Sequence, residues 1–193
     1  LVLRAAGALR AAAGVAMGAD LCLTKNLPVA AGIGGGSADA AAALRVLIRL
    51  WGIRPMDIDL PAIAVGLGAD VPACLASRTL LATGIGERLE PIDLDLAGTP
   101  LVLVNPMLAC PTGPVFAGWD GVDRGPLDPN AWHRARNDLA PPAIALVPEI
   151  DDVMAVLRAQ LPQVARMSGS GATCFALFGD VSQRDAAAGR IAE

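Results

Sequence analysis

Leu1, Leu3, Ala6, Leu9, Ala13 and Ala16 recur at three- to four-residue intervals, so the chain opens on an amphipathic helix over residues 1–17. From Asp20 to Asn26 the period drops to two, with Leu21 and Leu23 alternating against Cys22 and Thr24, which predicts a strand. A glycine-rich loop follows. Helical spacing resumes from Ala38 to Trp51 and is stopped by Gly52 and Pro55. Residues 57–65 predict another helix, ended by Gly66 and Gly68. Two β-prone runs, 78–83 and 88–92, flank Gly84-Ile85-Gly86 as in a tight hairpin. Leu101–Asn105 is a continuous apolar strand closed by Pro106, and the stretch 110–142, rich in Pro, Gly and Asp, predicts an irregular connection or short helical turns. Residues 148–160 are helical by period. Val164–Ser168 and Cys174–Phe178 predict strands joined by a second glycine turn, and a last helix runs from Ser182 to the end. Hairpin-like strands mixed with helices give an α+β class, with sheet layers covered by helices.

Composition narrows the functions open to such a fold. The 193 residues are 54% hydrophobic, enough for a sizeable core. Fifteen basic against nineteen acidic residues give a net charge of −4, which leaves no basic footprint for nucleic acid. Phosphate ligands stay open, because backbone N–H groups bind them without lysine or arginine. Cys22, Cys74, Cys110 and Cys174 never form a CxxC pair, and with the single His133 they offer neither zinc spacing nor a disulfide framework. Free thiols of this kind suit a cytoplasmic protein. Arg10 interrupts the alanine-rich start, so neither a signal peptide nor a membrane span is expected. The chain begins without Met inside a helical pattern and reads as a fragment. Nothing in the pattern fixes an oligomeric state.

The strongest chemical signal is Pro28, Val29, Ala30, Ala31, Gly32, Ile33, Gly34, Gly35, Gly36, Ser37, Ala38 and Asp39, set between the expected strand and an alanine-rich helix. Consecutive glycines let the backbone approach a ligand and aim several N–H groups at one anion. The helix start adds unpaired N–H groups and the positive end of its dipole. Ser37 is expected to cap that helix or to offer its hydroxyl to a phosphate or metal, and Asp39 in the first turn to suit the dipole. The competing reading is a flexible turn without a ligand. A dinucleotide fold lacks its GxGxxG here, and a Walker A loop lacks its GK[ST].

This loop resembles the second signature of the GHMP kinases, with Ala38 where a second serine is usual. Further segments resemble the same family in order. They are Gly66 through Pro72 around Asp70, Gly84-Ile85-Gly86-Glu87, Pro106 through Phe116 with Thr112, Asn137-Asp138-Leu139, and Met167 through Phe175 with its Gly169-Ser170-Gly171 turn. The resemblance covers essentially the whole chain. It implies a partial ribosomal-protein-S5-like ATP-binding domain over residues 1–97 and a ferredoxin-like domain over 98–193. It also implies ATP with Mg2+, ATP phosphates wrapped by Pro28 to Ala38, and phosphorylation of an alcohol. The triple glycine with Ser-x-Asp is closest to the branch acting on the 2-hydroxyl of a cytidine-diphosphate-linked methylerythritol. Homoserine kinase or another small-alcohol kinase, and a non-catalytic nucleotide-binding remnant, are the alternatives.

The same resemblance implies a catalytic carboxylate at Asp70, and substrate contacts from Asp70, Thr112, Phe116, Gly169 and Ser170, with Phe116 stacking on the cytosine. From the residues alone, Asp70 reads as a helix cap and Phe116 as a core plug. No protein side chain stands out as a metal ligand apart from Ser37 acting through Mg-ATP. Lys25, the only lysine, ends the expected strand beside the loop. The family's catalytic lysine belongs to an N-terminal segment with no counterpart in this sequence, so the chain by itself is expected to lack turnover. His133 matches no motif and is expected to be structural.

Overall fold

A computed structural model describes residues 1–28 and 31–192. The chain divides into two compact units, Leu1–Val29 with Gly34–Leu94 and Ala30–Ile33 with Asp95–Glu193.

The first unit is built on helices α1 (Val2–Ala13), α2 (Gly35–Leu50), α3 (Leu60–Leu67) and α4 (Val71–Ala76), followed by a hairpin of β1 (Leu80–Thr83) and β2 (Arg88–Pro91). In α1 the buried positions are Ala5 and Leu9, four residues apart on one face. The helix stops earlier than the expected residue 17. Gly14 takes a left-handed conformation at φ 63°, and Val15 N–H reaches back to Arg10 O at 3.1 Å, closing the helix in a Schellman-type turn. In α2, Ala40, Ala41, Leu44 and Leu47 are buried and meet Leu9, Ala64, Leu67 and Val71 in one apolar core. Asp59 caps α3 by accepting from Ala62 N–H at 3.0 Å, so that helix starts three residues later than its apolar period suggested, after a short 3-10 turn at Pro55–Asp57. Helix α4 is too short to show a period in the sequence. Its last carbonyls, Cys74 O and Leu75 O, accept from Arg45 of α2 at 3.0 and 3.3 Å.

The strand expected over 20–26 does not form. Its alternation is real, but none of the described strands runs beside it, and residues 22–27 are exposed. An extended segment without a hydrogen-bonded neighbour gains nothing over hydration of its backbone. The hairpin forms as expected, with Leu80 opposite Pro91 and Thr83 opposite Arg88.

The second unit is a three-stranded antiparallel sheet in the order β3 (Leu101–Val104), β5 (Cys174–Leu177), β4 (Val164–Met167). Helices α7 (Glu149–Ala159) and α8 (Val181–Ala192) pack against it, and α5 (Thr112–Ala117) and α6 (Ala140–Leu146) lie along the intervening chain. Ile150, Met154 and Leu157 of α7 are buried at helical spacing against Cys174, Ala176 and Phe178. Glu149, Asp151 and Asp152 in its first turn and Arg158 in its last complement the helix dipole. Helix α6 begins at the end of the stretch, 110–142, that the sequence suggested as an irregular connection or short helical turns. Its two prolines occupy the first turn, where a missing N–H costs nothing. The expected α+β class holds in both units.

Candidate active site

In the first unit the glycine run is the start of α2 rather than a loop before it. Gly34 is the N-cap residue, left-handed at φ 66°, and Gly35, Gly36 and Ser37 are the first helical residues. Their N–H groups are those that a helix leaves without internal partners. No side chain caps them, and no acidic residue stands in the first turn. Two expectations are corrected here. Ser37 does not cap the helix, because Gly34 holds the cap position and Ser37 lies three residues inside. Asp39 does not serve the dipole either. It lies just beyond the first turn, and its carboxylate pairs with Lys25 Nζ at 2.6 Å. Among the described residues, a Cβ on Gly35 would meet only Leu27 Cδ1, at 3.9 Å, and one on Gly36 would meet nothing within 4 Å. Pro28 is half-buried, whereas Val29 and Ala30 lie outside the described residues.

Asp70 stands at the N-cap position of α4, yet its side chain makes no capping bond and the residue is exposed. The cap reading therefore describes its place but not what its carboxylate does. Two neighbours fix that place. Gly86, at the hairpin tip with φ 104°, comes so close that a Cβ on it would stand 2.9 Å from Ala69 O, immediately before Asp70. Glu87 holds the tip by accepting from Ile85 N–H at 2.7 Å, and backbone hydrogen bonds lower its pKa below the ordinary value. On the other side, Cys74 lies one turn along α4, with Sγ 3.9 Å from where a Gly34 Cβ would be. Burial, and then the Asp70 charge, push the Cys74 thiol up. Helix α4 thus carries Asp70 alongside the start of α2. Glycine and glutamate in the hairpin were visible in the sequence, but their contact with Ala69 was not.

In the second unit, the turn between β4 and β5 is packed against Ala31 and Gly32, backbone to backbone. Thr173 N–H donates to Ala31 O at 3.2 Å, and Ser168 Oγ donates to Gly32 O at 2.8 Å. Gly32 has φ 72°, and a Cβ there would stand 2.2 Å from Gly171 O. A Cβ on Gly169 would meet Gly32 O at 3.0 Å. The glycines of both turns are required by this approach. Ser170 is 8% exposed, and its hydroxyl lies 3.0 Å from Thr112 Oγ1 at the start of α5. Phe116 follows Thr112 by one turn on the same helix and is 56% exposed, while Val115 fills the core in its stead. The core-plug reading of Phe116 is overturned. Asn137 donates from Nδ2 to Met167 O and Gly169 O at 2.9 and 2.8 Å, a role no local pattern announced. His133 makes an edge contact with Trp132, and Arg166 of β4 holds the carbonyls of both residues.

Comparison with known proteins bears on these arrangements. Residues 1–78 match the model of the GHMP kinases N terminal domain, and residues 127–193 that of the GHMP kinases C terminal domain. The 4-diphosphocytidyl-2-C-methyl-D-erythritol kinase of Sphingopyxis alaskensis is 52% identical, over 97% of this chain and 69% of its own length. This chain belongs to the GHMP kinase family. The enzyme of the same name from Rhizorhabdus wittichii is 57% identical, over 97% of the chain and 66% of its own length. A crystal structure titled 4-(cytidine 5'-diphospho)-2C-methyl-D-erythritol kinase superposes with a TM-score of 0.84 at 38% identity, covering 99% of this chain and 73% of that one. The chain thus spans about two thirds of the length of the relatives it matches. In this chain both helices and strands stand beside the glycine-rich segments.

Among the described residues no group of three or more His, Cys, Asp or Glu side chains could hold a metal ion, and no helix is long and apolar enough to cross a membrane. The Ser37 hydroxyl is not spent on capping, and Asp70 is exposed.

Proposed function

We propose that this chain carries the ATP-binding and phosphoryl-transfer groups of a cytoplasmic enzyme of the non-mevalonate isoprenoid pathway. That enzyme phosphorylates the 2-hydroxyl of 4-diphosphocytidyl-2-C-methyl-D-erythritol. The observation that carries the reading is the start of α2, where three successive amides at a positive helix end have no side-chain cap and the described residues leave room beside Gly35 and Gly36. The relatives' names support that acceptor, and in this reading Pro28 and Ala31 to Ala38 make the phosphate contacts.

In this reading the Gly34–Ser37 amides hold the β- and γ-phosphates of ATP, and Ala31–Ile33 line the approach. Asp70 accepts the proton of the substrate hydroxyl as its oxygen bonds to the γ-phosphorus and the bond to the ADP oxygen breaks. Mg2+, when bound with ATP, offsets charge on the phosphoryl oxygens. The fixed amides meet the same charge without reorganising, which is where an electrostatic site gains most. Phe116, exposed on α5, stacks on the cytosine and contributes roughly 1–3 kcal/mol. The paired Thr112 and Ser170 hydroxyls, with Gly169 beside them, contact the rest of the acceptor.

An ADP-release assay on the intact protein, run over a panel of alcohols, tests this. Turnover is expected with the cytidine-diphosphate-linked methylerythritol and not with homoserine. Preference for homoserine would overturn the acceptor, and ATP binding without turnover on any alcohol would point to a non-catalytic nucleotide module.

A further inference from the structure

Asn137 lies outside the groups assigned to ATP or acceptor, yet its side chain uses every polar atom on one purpose. Oδ1 accepts from Leu139 N–H at 3.0 Å, just ahead of α6, and Nδ2 donates to Met167 O and Gly169 O at 2.9 and 2.8 Å. The reverse orientation of the amide would set an oxygen against two carbonyls, so the assignment follows from its neighbours. The two carbonyls flank Ser168. With both tethered, Ser168 N–H meets Thr173 O at 2.8 Å and its hydroxyl meets Gly32 O at 2.8 Å. We propose that Asn137 is a positioning residue for ATP, setting the Ala31–Gly32 backbone through Ser168. The proposal rests on the kinase reading for its ligand, though its geometry does not.

Geometry supports action through Ser168 rather than general support of the core. Asn137 is half-buried at the edge of the unit and takes no part in the apolar core. The Ser168 bond to Gly32 joins positions 136 apart in sequence, and Gly32 can sit there only because it lacks a Cβ. Small displacements of the turn are therefore transmitted directly to Ala31 and Gly32, which in the kinase reading line the approach to the ATP phosphates.

The test uses Asn137→Asp, which keeps the acceptor for Leu139 N–H and loses both donors, together with Ser168→Ala and the double variant. In the ligand-free intact protein, hydrogen exchange over residues 31–36 should quicken in each single variant and no further in the double. Calorimetric titration with ATP should show each single variant weakened on the order of tenfold, and the double no weaker than the worse single. KM for ATP should rise more than kcat falls. Asn137→Ala, with intact melting behaviour checked first, repeats the comparison without an added carboxylate. Unchanged exchange and unchanged ATP affinity in a folded variant, or fully additive losses in the double, would overturn the proposal. A wild-type protein that fails to bind ATP, with the exchange pattern as expected, would instead sink the kinase reading and leave the positioning contact standing.

Discussion

Asp70 condenses what a single residue can do in this fold. Its position at the head of α4 is fixed by the Gly68–Val71 backbone turn and by the hairpin tip against Ala69, and its carboxylate is left exposed. Because it makes no capping bond, Asp70→Asn should leave the unfolding midpoint close to wild type. As the proposed base it should lower kcat of the intact enzyme by roughly 10²–10⁴. Steady-state rates measured beside a melting curve decide the matter, and a kcat within a few-fold of wild type would remove Asp70 from the mechanism. The sequence displayed Asp70, Phe116 and the glycines plainly, because each lies in a short segment of distinctive spacing. It could not display Gly86 against Ala69, or Asn137 against Gly169. Those contacts join positions 17 and 32 apart, and only the folded chain brings them together.

Elements were legible in proportion to how much of their stability is local. Helices α7 and α8 and the hairpin follow from period, charge and turn residues within the segment itself. The segment 20–26 has the alternation of a strand but depends on a neighbour, and none is supplied among the described strands. Helix α4 has six residues, and its place is set by Arg45 and the apolar face of α2 instead of by propensity. Glycine shows the same division between local and tertiary control. Gly7, inside α1 with nothing within 4 Å of an added Cβ, gains only from a better helix former, so Gly7→Ala should stabilise by about 0.5–1 kcal/mol. Gly32→Ala, with φ 72° and Gly171 O at 2.2 Å, should instead cost at least about 1–3 kcal/mol. Denaturant titration of the two variants side by side checks this, and equal effects would mean that the two glycine turns are not packed as described.

At the scale of the molecule, each unit has its own apolar core. The glycine run is divided between them, with Gly34 onward belonging to the helical unit and Ala31–Ile33 to the sheet unit. In the first of these, the uncapped start of α2 is the proposed holder of the ATP phosphates. Gly35→Val puts a branched side chain into that space, where the folded chain has room for a Cβ at 3.9 Å from its nearest neighbour. The most direct measurement is calorimetric titration of ATP into the wild-type protein and into Gly35→Val, with folding of the variant verified by its melting curve. If the start of α2 holds the phosphates, ATP binds to the wild type and not measurably to the folded variant. Equal ATP affinity in the two proteins would contradict it.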